Sequence, residues 1–341
     1  MRIENEQEKL TPEDFERVTI DAHHSERIEK PSLSFWQDAW LGLRKNKAAI
    51  VSMVVLLLVI LMALIGPHLN GHAGDTQNLR HANLPPKIPG IEATGLFDGD
   101  GKLAGKTVNL YEMKKVDEYY WFGTDGLGRD LFTRLWEGSR VSLFIAFVAA
   151  AIDMVIGVAY GGISGYFGGR TDDIMQRIVE ILIGIPTLIV VILMIMIMDP
   201  GITAIIVAIT ITGWIGMSRI VRAQTLKYKS QEFVLASRTL GAKDGKIITK
   251  HLLPNMLGII IINTMFTIPN AIFFEAFLSF IGIGLQPPAA SLGTLINDGY
   301  KVMENQPYVL LFPAIVISVL MIAFNLIGDG LRDALDPKMK D

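Results

Sequence analysis

The sequence predicts an all-α integral membrane protein with six transmembrane helices, and three observations carry that expectation. Half of the 341 residues are hydrophobic and only 19% are charged, against about 25% charged in an ordinary soluble domain, and the mean hydropathy is +0.39. Apolar segments long enough to cross a bilayer recur along the chain. Basic residues gather on some of the connections between them and leave the others nearly bare, the asymmetry that orients a membrane protein. Backbone amides find no water in lipid, so these segments are expected to be helices and not open strands. There is no cysteine, which excludes disulfides, thiolate metal sites and cysteine nucleophiles.

Residues 1–33 are rich in Glu and poor in apolar side chains and read as a polar tail. His23-His24 within it are read as solvated, because no further ligands stand nearby. Residues 34–66 hold an elbow helix and the first span. Phe35, Trp36, Trp40, Leu41 and Leu43 suit a helix lying in the interface with Trp at headgroup depth; the alternative is a first span that simply starts early. That span, 48–66, carries no charge. The polar region ahead of it is too long for the n-region of a signal peptide, so it is expected to remain as an anchor.

Residues 67–137 form a long outer loop or small subdomain. Pro85-Pro86, Pro89-Gly90, Gly95 and Asp98-Gly-Asp-Gly101 mark turns and extended chain. The loop closes on a run containing Gly123, Thr124, Asp125, Gly128, Arg129 and Asp130. Gly126 and Gly128 suggest a turn, and Asp130 stands where a helix dipole favours an acid. A glycine-dense run can bind phosphate, but the Lys-Ser/Thr ending of a P-loop is missing, and a structural lid is the stronger reading.

The remaining spans are expected at 141–161, 178–198, 202–221, 256–283 and 309–327, inside a membrane domain of 138–330 that is followed by a tail at 331–341. Glu180 opens the third span and either snorkels or pairs with Arg177; Pro186 lies inside it. Gly213 and Gly216 break the fourth, and Pro269 lies in the fifth. Asp153, Asn263, Asn270, Glu275 and Asn325 are polar groups at membrane depth. Such groups are costly there. Each is expected either to line a pathway or to hydrogen-bond between helices. Gly328-Asp-Gly330 reads as turn and capping chemistry at the end of the last helix. An intramembrane aspartyl protease would need a second aspartate at matching depth, and none is present.

Between the fourth and fifth spans lies a polar, basic stretch from Glu232 to Pro254. Helix formers fill its first half, Gly241 interrupts them, a second short helical run follows, and Pro254 opens the next span. This is a helix–turn–helix bracket at the membrane surface. Arg219, Arg222, Lys227, Lys229, Arg238, Lys243, Lys246 and Lys250 stand against only Glu232 and Asp244, and Arg44, Lys45 and Lys47 precede the first span. The Asp199-Pro200-Gly201 turn has no basic residue, and the 284–308 connection has only Lys301. The bracket and both termini are therefore expected in the cytoplasm. Gly241-Ala-Lys-Asp-Gly-Lys246 is too short for a P-loop, so no nucleotide-hydrolysing apparatus is expected. A gradient-driven transporter would show inverted repeats with paired broken helices, and no convincing repeat is visible.

The bracket resembles the EAA loop of binding-protein-dependent ABC importers. Leu235, Ala236, Ser237, Gly241, Leu253 and Pro254 take the motif positions; Leu235 stands where the family has glutamate, and Glu232 lies one turn earlier. Further matches to the oligopeptide/dipeptide/nickel class run through Phe122–Asp130 and Gly138–Leu143, then Gly165–Gly169 and Arg219–Arg222, and finally Glu275–Gly282 and Asn325–Pro337. They cover nearly all of the chain after residue 30. The resemblance implies the type I ABC importer permease fold and a non-enzymatic half-pore in the bacterial cytoplasmic membrane. It also implies a homologous second permease subunit, two cytoplasmic ATPase subunits that carry ATP and Mg, and an external lipoprotein delivering oligopeptides. No cofactor bound by this chain and no nucleic-acid partner are expected. Leu235, Ala236, Ser237, Arg238, Gly241, Ala242, Lys243, Asp244, Leu253 and Pro254 would form the coupling loop, its small residues seating in a partner groove and Lys243 and Lys246 meeting acidic rims.

Overall fold

The computed structural model describes residues 35–92, 95, 97–103 and 106–335; the tail expected at 1–33, with His23-His24, lies outside them. The chain opens with helix α1 (Phe35–Lys45), which stops one residue before α2 (Lys47–Ile65). Asn46 separates them by accepting a hydrogen bond from the Ala49 N–H (3.1 Å), an N-cap that starts α2 as its own helix. The elbow is thus a distinct element. Trp36, Trp40 and Leu41 are exposed, whereas Leu43 is buried with Ala49 and Ala334.

The outer loop folds into a lobe. Strands β1 (Asp100–Leu103) and β2 (Lys106–Asn109) pair antiparallel, and α3 (Leu110–Lys114) follows, capped by Asn109. Leu84, Tyr111, Val116 and Tyr120 form its small core. From there α4 (Leu131–Phe167) runs the height of the molecule.

Next come α5 (Gly169–Ile183) and α6 (Thr187–Met198), then α7 (Ile202–Tyr228), α8 (Glu232–Thr239) and α9 (Asp244–Ile247). A π turn, Ile248–Leu252, leads into α10 (Leu253–Phe280); α11 (Leu292–Val302) and α12 (Pro307–Leu335) complete the chain. The main core is shared by α2, α4, α7, α10, α11 and α12 through residues such as Ile145, Ala149, Ile205, Ile272, Leu292 and Leu320. Along α4, Gly157, Gly161 and Gly165 recur every fourth residue against Met217, Ser218 and Thr225 of α7. A Cβ at Gly161 would lie 2.2 Å from the Ser218 carbonyl oxygen, so the two backbones meet because these residues have no side chain.

Three expectations need correction. The third span is not one helix: α5 and α6 meet at an 82° bend. Pro186 lacks an N–H and disfavours the helical conformation in Ile185 before it, so the chain restarts at Thr187. Among the described residues five helices are long and apolar enough to cross a membrane, and the spans number six when the bent pair is counted as one. The last helix does not end at Gly328-Asp-Gly330 but continues to Leu335. Gly328 packs on Phe266, and a Cβ at Gly330 would lie 2.4 Å from that of Ala49, so these glycines allow close approach within a helix. A tail beginning at 331 is therefore partly helix, its residues 336–341 lying outside the described ones. A membrane domain starting at 138 is likewise too late, since α4 begins at Leu131. The 284–308 connection, on whose structure the sequence was silent, contains α11, started by Ser291 and Thr294 bonding each other's backbone N–H groups.

Helix directions alternate from α2 through α12 when α5 and α6 count as one span. The elbow and the bracket consequently share one end of the bundle, and the lobe and α11 occupy the other.

Candidate functional site

The bracket is built on a short helix with a decisive stop. Glu232 sits in the first turn of α8, where the dipole favours it. At the far end Gly241 adopts φ +76°, its N–H bonds the Arg238 carbonyl (2.9 Å), and the Ala242 N–H bonds the Ser237 carbonyl (3.1 Å). This double closure needs the left-handed residue that glycine supplies without strain. Pro254 then stands directly after the π turn, in a helical run that continues unbroken from Asp244 to Phe280.

The two faces of the bracket differ in character. Its inner face is buried: Val234, Ile247 and Leu252 pack with Tyr166, Met217, Val221, Met256 and Ile260 of the spans. Tyr166 at the foot of α4 donates its hydroxyl to Asp244 Oδ1 (2.6 Å), and the Arg238 guanidinium lies 5.4 Å from the Tyr166 ring. Lys229 Nζ donates to the Gly165 carbonyl (2.7 Å). Close by, Arg222 clamps Asp172 through two bonds of 2.6 and 2.5 Å, joining α5 to α7. On the outer face Leu235, Ala236, Arg238, Gly241, Lys243 and Asp244 are exposed, Ser237 and Ala242 half-buried. Leu240, which the sequence reading passed over, is 87% exposed at the tip. A large apolar side chain in a basic, polar loop was the signal that marked it.

The five intramembrane polar candidates separate into two groups. Asp153, Asn263 and Asn270 line one cavity of about 440 Å³ between α4, α6, α7 and α10, with Thr187, Thr212 and Thr267. Glu275 does not reach it. It is fully buried, with its Oε2 accepting from Ser142 (2.7 Å) and its Oε1 from Ser279 (2.8 Å). Ser142 in turn accepts the Leu292 N–H (3.1 Å), so this carboxyl ties α4 and α10 to the start of α11. Asn325 donates to the Met321 carbonyl of its own helix (2.8 Å). Glu180, outside both groups, pairs with exposed Arg177 at 2.8 Å.

The glycine-dense run before α4 is buried rather than laid over the surface. Thr124 accepts the Leu84 N–H (2.8 Å) and donates to the His81 carbonyl. Asp125 takes the N–H groups of Leu127 and Arg129 and the Arg129 guanidinium (2.7 Å), with Arg134 at 3.7 Å. Gly123 and Gly128 both have positive φ, and a Cβ at Gly128 would overlap the Asn78 carbonyl at 1.9 Å. Asp130 caps α4 by accepting the Thr133 N–H (2.7 Å) and also holds Asn70 (2.6 Å). Burial pushes the Asp130 carboxyl above the usual range, against the lowering effect of those bonds. The segment is a knot pinning the lobe to the first turn of α4.

A lobe at one end of a bundle of apolar helices and a two-faced bracket at the other make up the described structure. Residues 157–341 match the family model described as "binding-protein-dependent transport system inner membrane component". The chain belongs to this family. Residues 34–86 also match the N-terminal transmembrane domain of oligopeptide transport permease C. The permease is 49% identical to the dipeptide transport system permease protein DppC of Bacillus subtilis, over 93% of this chain and 90% of that one. It is 45% identical to the oligopeptide transport system permease protein OppC of the same organism, over 96% and 97%. Escherichia coli OppC is 38% identical over 92% and 95%. Among solved structures, a chain of the MetNI methionine ABC transporter superposes with a TM-score of 0.50 at 22% identity, covering 60% of the permease and 97% of that chain. That likeness shows that the two chains share a fold.

Proposed function

We propose that this permease is one half of the translocation pore of an ATP-driven importer of oligopeptides. A homologous second permease subunit completes the pore, and an external binding lipoprotein delivers the peptide. Two cytoplasmic ATPase subunits bind ATP and Mg, while this chain binds neither and hydrolyses nothing. The peptide cargo rests on the OppC and DppC relatives, which match over nearly the whole length.

The observation that carries the coupling role is the two-faced bracket. Its exposed outer face presents Leu240 as a knob among the small residues Ala236, Ser237 and Gly241, with Lys243 at the rim. A short helix of this kind seats in a groove of a partner. Its inner face is locked to α4, α7 and α10 by a continuous buried cluster and by the Tyr166–Asp244 bond. A push on the bracket is therefore delivered to three spans together. The shared end of elbow and bracket, with Arg44, Lys45 and Lys47 on the same side, supports a cytoplasmic placement for both.

Leu240→Asp tests this reading in the assembled transporter. No span is touched, so membrane insertion is expected to be normal. Peptide uptake should fall by about tenfold or more, as for loss of a central apolar anchor, with the ATPase subunits either released or hydrolysing independently of the loaded receptor. Normal uptake by a well-expressed variant would reduce the bracket to a connector.

A further inference from the structure

We propose that the cavity at Asp153 is a subsite for a primary ammonium group, the free amino terminus of the peptide in transit. The ligand is named on the strength of the peptide cargo argued above; the site itself rests on geometry. Asp153 is only 3% exposed, and its Oδ1 receives no hydrogen bond from any described residue. Among the described residues no lysine or arginine lines the cavity. A carboxylate held in low dielectric with a bare oxygen is costly until a cation joins it. Gly213 lets the carboxyl lie close against α7: a Cβ there would lie 2.3 Å from Asp153 Oδ2.

Two of the neighbouring polar groups have a donor engaged and acceptors to spare. Asn263 spends its Nδ2 on the Met217 sulfur (3.6 Å), and Thr267 spends its hydroxyl on the Asn263 main-chain carbonyl (3.0 Å). The Asn263 amide oxygen and the Thr267 lone pairs remain to accept, and Asn270 and Thr212 also line the cavity. One carboxylate and several neutral oxygens match an ammonium, which offers three N–H donors and one positive charge. Every peptide with a free amino terminus carries that group whatever its side chains. A site that reads it serves many sequences.

The test measures binding to the purified, complete transporter without its receptor, so that receptor selectivity does not enter. Trialanine and N-acetyltrialanine, each tagged at the carboxyl end, are titrated in parallel. The free-amino peptide should bind about tenfold more tightly, the scale of one charge-assisted contact. Asp153→Asn and Gly213→Ala should erase that preference while leaving the acetylated peptide's affinity unchanged, and Asp153→Glu should retain part of it. Equal binding of both peptides to the natural protein would remove the ammonium subsite and leave the peptide cargo intact. Binding of neither would overturn the cargo as well. A preference that survives in Asp153→Asn places ammonium recognition elsewhere. Potassium competing as strongly as methylammonium assigns the cavity to an alkali cation. Should Asp153→Asn fail to assemble, the natural protein and Gly213→Ala decide the question.

Discussion

At the scale of single residues, charge at membrane depth does two different jobs. Glu275 is saturated by Ser142 and Ser279 and serves as a tie between helices, whereas Asp153 keeps an oxygen without a partner beside a cavity. Glu275→Gln keeps one acceptor oxygen, and its NH2 can donate to the other serine hydroxyl, so folding and uptake are expected to stay near normal. Glu275→Ala strands two buried hydroxyls and should cost about 1–3 kcal/mol, read as a lowered melting temperature of the purified transporter in detergent. Equal tolerance of both would show that the knot is not needed. Asp130→Ala removes the cap of α4 and should cost about 1 kcal/mol in the same melt, with Asp130→Asn milder because an amide oxygen still accepts from Thr133. Residue types were legible in the sequence, and so was the cap of Asp130. What the sequence did not show was direction. Asn263 and Asn325 are the same side chain in similarly apolar helices, and only packing decides that one faces a cavity while the other bonds its own backbone.

At the scale of elements, the stops and starts with strong local chemistry were legible. Gly241 acts through backbone φ, which a neighbouring helix hardly alters. Elements that depend on tertiary contact were not. Gly328-Asp-Gly330 looks like a terminus because glycine is a poor helix former, yet burial against Phe266 and Ala49 carries α12 through it. The third span was long enough and apolar enough to be drawn whole, and Pro186 instead divides it. The glycine row at 157, 161 and 165 escaped the sequence reading, and so did its partner face on α7. Gly161→Val should force α4 and α7 apart, at a cost of about 1–3 kcal/mol or more, with loss of assembled transporter. The same substitution at Gly241 acts differently. Nothing lies within 4 Å of a Cβ there, but φ is +76°, where a branched residue is strained. Gly241→Val should therefore insert and assemble its spans normally while peptide uptake falls sharply. Loss of the protein from the membrane instead would mean that the turn is a folding element.

At the scale of the whole molecule, orientation decides whether the parts can work together. The lobe with its β1–β2 hairpin and the bracket lie at opposite ends of the bundle, and the helices between them alternate in direction. If the bracket meets ATP-driven partners it must lie in the cytoplasm, where ATP is, and the lobe must then face the delivered peptide. The chain has no cysteine, so a single introduced thiol reports on one site without further changes. Asp100→Cys at the exposed start of β1 should react with a membrane-impermeant maleimide on intact cells. Lys243→Cys, exposed on the bracket, should react only after the membrane is opened. Asp100 and Lys243 lie outside the apolar spans, so neither change is expected to disturb insertion, and uptake by each variant provides the control. The reverse labelling would invert the molecule and remove the coupling role of the bracket. Labelling of both positions on intact cells would place the two on one side, which the alternation of α2, α4, α7, α10 and α12 forbids unless α5 and α6 fail to cross. The result thus also decides whether the bent pair is a sixth span.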